Sequence, residues 1–264
     1  MTRAPGLAVI GAAVIGAVAL AAVGAFGSGS VGTAKRPDPV GSRSILLGRS
    51  VDGRAITAVE TGDFDSPNRT LVVGCIHGNE CAGIAVVTRL AHTAPPSEAD
   101  VWVVLDLNPD GASAGTRGNA HGVDLNRNFP WRWTRLGGVF YSGAAALSEP
   151  ETRVAYRLIE RVRPSVSIWF HQHLDVVDDS TGSLSIERRF ANAAGLRLAS
   201  LTQEPGSVVM WESHCFPHGS AFVVELPAGA LTRAAVSRLA RAVRVTAATA
   251  PAAGPPAAGC STAR

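Results

Sequence analysis

The chain has no run of like charges and no internal repeat at a period of about 20–50 residues. These absences argue against a polyelectrolyte tail and against a solenoid or propeller. The net charge is only +3 over 264 residues, too small a surplus to point to nucleic acid. Tyrosine is scarce, with Tyr141 and Tyr156 alone. Of the cysteines Cys75, Cys81, Cys215 and Cys260, none closely follows the apolar N-terminus, which argues against a lipoprotein anchor. What remains is enough chain for one sizeable α/β domain with appendages.

The first appendage reads as a targeting segment. Arg3 supplies a modest positive start, and Leu7 to Phe26 then carries no charge. A cleavable secretory signal is one reading, with small residues at Ala19-Leu20-Ala21 or Val23-Gly24-Ala25. An uncleaved anchor is the other, since about 20 apolar residues can span a bilayer. A buried core helix fits poorly, because the stretch has no polar face. Either main reading places the protein outside the cytoplasm, secreted or membrane-anchored. Export permits disulfides, and a single structural bridge from Cys215 to Cys81 or Cys260 is expected.

Residues 27–43 read as a Gly/Ser/Pro linker, 44–248 as the folded domain, and 249–264 as a disordered Ala/Pro-rich tail. Short β-branched apolar runs predict buried strands over 70–76, 101–107, 165–170 and 221–226. Helices are predicted over 80–92, 148–162, 185–195 and 231–245, the second opened by Ser148 as cap with Pro150 in its first turn. Asn108-Pro-Asp-Gly111 reads as a turn. Alternating strands and helices imply an α/β fold: a mostly parallel or mixed sheet covered by helices on both faces. A monomer is expected.

Polar residues gather at the ends of these predicted strands, where open α/β sheets place ligand sites. His77 ends the first, with Glu80 three residues on, a spacing that lets both reach one metal. His171 and His173 close the third and share a face, so either could add a ligand; His171, at the strand edge, is preferred. A thiolate from Cys75 or Cys81 is a weaker candidate, because the set is complete without it. Glu225 lies in the apolar run Ala-Phe-Val-Val-Glu-Leu-Pro, where an acid is costly unless it serves a purpose. Near a metal it suits acid/base work. Arg117 and Arg127 suit anionic groups, and Asn126 can donate beside them.

Together with Leu47 to Arg54, Asp124-Leu-Asn-Arg-Asn-Phe-Pro130 and Tyr141 to Thr152, these clusters resemble the zinc metallocarboxypeptidases of the carboxypeptidase A type over about 44–245. The look is nearest to bacterial members that trim cell-wall peptides, the murein peptide amidases. The resemblance implies one Zn2+ held by His77, Glu80 and His171, with a water activated by zinc and Glu225 as general base. It implies Arg117 at the scissile carbonyl, and Asn126 and Arg127 on the terminal carboxylate of a peptide substrate. One departure concerns the tyrosine that closes over the substrate in digestive members. Neither Tyr141 nor Tyr156 falls in that region, where Trp211, His214 and His218 stand instead. Two rival readings share some of these residues: an aspartoacylase-type N-acyl amino acid deacylase, and a non-catalytic zinc or peptide-binding envelope protein.

Overall fold

Eight strands form one sheet: β1 (Gly41–Arg49), β2 (Ala55–Gly62), β3 (Arg69–Val73), β4 (Asp100–Val104), β5 (Val166–Gln172), β6 (Val176–Asp178), β7 (Arg197–Ala199) and β8 (Ser220–Leu226). The structure is a computed structural model and describes residues 41–260, apart from 95 and 253. The spatial order is β1-β2-β4-β3-β5-β8-β6-β7. The central block β4-β3-β5-β8 is parallel, and β1-β2, β2-β4 and β6-β8 pair antiparallel. The four central strands are the apolar runs that the sequence marks, buried along nearly their whole length.

Alternation along each strand divides the core in two. Leu71, Val73, Trp169 and Val223 face α3 (Pro150–Val162) and α5 (Val208–Cys215), meeting Val154, Ile159 and Trp211. Val72, Ile168, Phe170, Phe222 and Val224 face the other way. They meet α1 (Gly83–Ala91), α4 (Leu184–Ala194) and α6 (Arg233–Ala247). Each large side chain fully buried this way contributes roughly 1.5–3 kcal/mol.

Several expectations are revised. Asn108-Pro-Asp-Gly111 opens a short helix, α2 (Pro109–Ala114), rather than a simple turn. The Asn108 side chain caps it by accepting from Gly111 N–H. Asp110 then accepts from Ser50 Oγ, Arg54 Nη1 and Asp52 N–H, tying α2 to the β1–β2 turn. Ser148 donates to Glu149 Oε1 instead of capping α3. β1 begins at Gly41, inside the stretch expected as linker. Within the tail expected as disordered, 249–264, the described residues from 251 to 260 carry no regular element but return to the body. There Ala257 N–H donates to Cys215 O at 2.8 Å, and Cys260 is disulfide-bonded to Cys215. A second disulfide, Cys75–Cys81, was not expected; it engages both sulfurs, so neither is a free thiolate ligand.

The expectation of an extracytoplasmic protein, secreted or anchored to the membrane by its N-terminal apolar segment, is also corrected. Among the described residues no helix is long and apolar enough to cross a membrane. The longest, α6, has 15 residues, against about 20 for a span. Leu7 to Phe26, on which the expectation fell, lies outside the described residues.

Candidate active site

The strand order reverses at β3: β4 lies on one side of it and β5 on the other. At such a switch point the loops leaving the strands diverge and open a crevice at their carboxyl ends. β3 leads into the loop bearing His77 and Glu80. β5 carries His171 near its end, and β8 carries Glu225 directly beside it in register. His77 can take its place only because residue 78 is glycine. A Cβ there would lie 2.0 Å from the Gly111 carbonyl carbon of α2, so close packing, not the reversal of direction, demands glycine.

Three donor atoms converge. His77 Nδ1 lies 3.0 Å from Glu80 Oε2, His171 Nδ1 lies 3.2 Å from the same oxygen, and the two ring nitrogens are 3.1 Å apart. A tetrahedral zinc with bonds of about 2.0–2.1 Å sets its ligands roughly 3.3 Å apart, so the set fits that ion. His173, the alternative ligand, is exposed and outside this group. A second cluster, Cys75, Cys81 and Asp106, has its sulfurs committed to the disulfide.

Asp124 orders the site in a way that the sequence reading did not assign. Its Oδ1 lies 3.0 Å from His77 Nε2, which fixes the ring and leaves Nδ1 for a metal. Its Oδ2 accepts from Arg117 Nε at 2.8 Å, while Arg117 Nη1 donates to Glu80 Oε1 at 2.8 Å. Burial acts against the charged form of Glu80, but hydrogen bonds from His171 and His77 outweigh it and hold the carboxyl well below its usual range. Asp124 is likewise held low by His77 and Arg117 against its burial. Burial pulls His171 down to about 4, so it stands as the neutral imidazole that metals bind. For His77 burial is outweighed by Asp124, and its pKa rises.

His77, Glu80 and His171 line a cleft of about 160 Å³ that also takes in Arg117, Asn126, Arg127 and Glu225. Glu225 Oε2 is buried and has no hydrogen-bond partner among the described residues. Burial, then the charge of Glu80, raises its pKa. Arg127 is 7% exposed, donates to Asn126 O, and keeps a buried Nε without a partner. Asn126 is pinned by its own N–H to Asp124 and by Val208 N–H to its Oδ1. The seven residues given metal, acid/base or anion-binding roles therefore meet at one cleft.

The structure also brings in Gln172, whose side chain joins Ala82 N–H to the carbonyls of Pro227 and Gly229. Nothing in the sequence near it signals that bridge. The three residues considered as covers do not line the cleft. Trp211 is buried against Tyr156 and Phe129, His214 stacks on Trp131, and His218 lies against Gly254.

The zinc carboxypeptidase family model matches residues 33–178. Murein peptide amidase A of Escherichia coli strain K12 is 34% identical over 157 residues, covering 53% of this chain and 64% of that protein. The chain thus spans just under two thirds of that relative. The crystal structure of murein-tripeptide amidase from Escherichia coli O157 superposes with a TM-score of 0.67 at 28% identity, covering 81% of this chain and 95% of that one. Carboxypeptidase A from Helicoverpa armigera shares the fold, with a TM-score of 0.66 at 17% identity over 78% of this chain and 68% of that one. The family match spans more than half of the sequence, and the chain belongs to the zinc carboxypeptidase family.

Proposed function

We propose that this protein is a zinc-dependent metallocarboxypeptidase that hydrolyses the amide bond preceding a free terminal carboxylate, with cell-wall stem peptides as its substrate class. The observation that carries this is the meeting in one cleft of three metal-type donors, a carboxylate with one buried oxygen and a buried arginine with an Nε that find no hydrogen-bond partner among the described residues. The names of the murein peptide amidase relatives favour the substrate class.

His77, Glu80 and His171 would hold the metal, with His77 oriented by Asp124. Bound zinc supplies Lewis acidity toward the scissile carbonyl and the attacking water. Arg127, with Asn126, grips the terminal carboxylate and sets which bond lies at the centre. Glu225, its pKa raised, removes a proton from water and returns it to the leaving nitrogen. Arg117, already steered by Asp124 and Glu80, donates to the carbonyl oxygen as negative charge develops there. The test is product identification: the zinc-loaded chain is expected to release the terminal amino acid from free-acid stem-type peptides. Zinc bound without release from any peptide would overturn the reading.

A further inference from the structure

Phe140 is a large apolar side chain left 46% exposed, and it belongs to neither half of the core. Core packing therefore gives no reason for an aromatic residue at this position. Its ring centroid lies 5.5 Å from the guanidinium carbon of Arg117 and 5.3 Å from that of Arg127. Both fall within the reach of about 6 Å at which a ring face attracts a cation.

The ring is carried on a single 3-10 turn, Gly138–Phe140, and the frame around it is firm. Tyr141 N–H donates to Gly138 O, and Asp124 N–H donates to Tyr141 O at 2.8 Å. Ser142 O then accepts from Asn128 Nδ2 and Trp133 Nε1. The turn bearing Phe140 is thus bonded to Asp124, the same residue that orients His77 and Arg117. Two like-charged guanidiniums repel each other, and a shared ring offsets part of that repulsion.

We propose that Phe140 is a positioning residue of the cleft, its ring lying over Arg117 and Arg127 and holding Arg127 ready for the carboxylate end of a peptide; this rests on the exopeptidase reading above. Arg117 keeps its bonds to Asp124 and Glu80 without the ring, so the loss falls on Arg127, and on KM rather than kcat. The experiment uses the zinc-loaded full chain and one peptide supplied as free acid and as C-terminal amide. Kinetics are measured for the wild type and for Phe140→Ala, Phe140→Leu and Phe140→Tyr, with thermal unfolding of each as a check on folding.

Phe140→Ala is expected to raise KM for the free acid roughly five- to tenfold while kcat changes little. Phe140→Tyr is expected to restore the wild-type value, and Phe140→Leu is not. A folded Phe140→Ala with the wild-type KM would overturn the inference, as would recovery by leucine as full as by tyrosine. A wild type that does not prefer the free acid would overturn the exopeptidase reading and this inference with it. A free-acid preference undiminished in Phe140→Ala would overturn this inference alone.

Discussion

At Glu225 the informative property is a missing partner. A buried carboxylate oxygen without a hydrogen bond is costly in a folded protein, and here it faces a cluster of metal-type donors. Glu225→Gln removes proton handling and leaves those donors in place. Zinc content is expected to stay at one per chain while turnover falls about 10²–10⁴-fold; turnover near the wild-type rate would remove Glu225 from the mechanism. Arg127→Ala deletes a charged contact of roughly 1.5–3 kcal/mol, so KM for free-acid peptides is expected to rise tenfold or more. Unchanged discrimination against amidated peptides would take Arg127 out of the clamp. Asp124→Asn keeps the shape but loses the charge that orients His77. Metal affinity is expected to drop roughly 10–100-fold by competition with a chelator, and an unchanged affinity would confine Asp124 to folding. The candidate ligands are legible because His77 and His171 end apolar runs and Glu80 follows His77 by three residues. Asp124 lay in plain view within Asp-Leu-Asn-Arg, but its bond to a histidine 47 positions earlier has no local signal.

The central strands could be read because a strand buried on both faces needs an unbroken apolar run, and β3, β4, β5 and β8 have one. The outer elements could not. β1 is largely exposed, so Gly41 to Arg49 shows little apolar pattern, and its pairing with β2 comes from backbone bonds that any sequence can make. α1 starts at Gly83 rather than near Glu80, because the Cys75–Cys81 bridge holds that stretch as a loop. α5 hides a further property. Its Glu212 is buried under β5 and accepts from Trp169 Nε1 at 3.0 Å. Burial pushes this carboxyl up to about 7, against about 4.3 for an unfolded chain. The folded state therefore holds the proton over a range where the unfolded state has lost it. Glu212's contribution is fully present below the unfolded value and is lost as pH rises through the folded one. Glu212→Gln keeps the acceptor for Trp169 and never ionises. It is expected to unfold at a higher temperature than the wild type at pH 8, with the gap closing near pH 5. A gap independent of pH would contradict the assignment.

On the scale of the whole molecule, a switch point of the sheet gathers the candidate ligands from the ends of β3 and β5 beside Glu225 of β8. The tail is fastened by Cys215–Cys260, 45 positions apart in sequence. Closing a loop of that length stabilises by roughly 4 kcal/mol in the chain-entropy model. The double variant Cys215→Ser, Cys260→Ser is expected to show a lower Tm with zinc binding retained; an unchanged Tm would mean that the tail adds no stability. The measurement that bears most directly on the central claim is mass spectrometry of a peptide mixture incubated with the zinc-loaded protein, each peptide supplied as free acid and as C-terminal amide. Residues lost one at a time from the free acids alone are the expected result. Cleavage of both forms alike, or of neither while zinc is bound, would contradict a carboxypeptidase that reads the terminal carboxylate through Arg127.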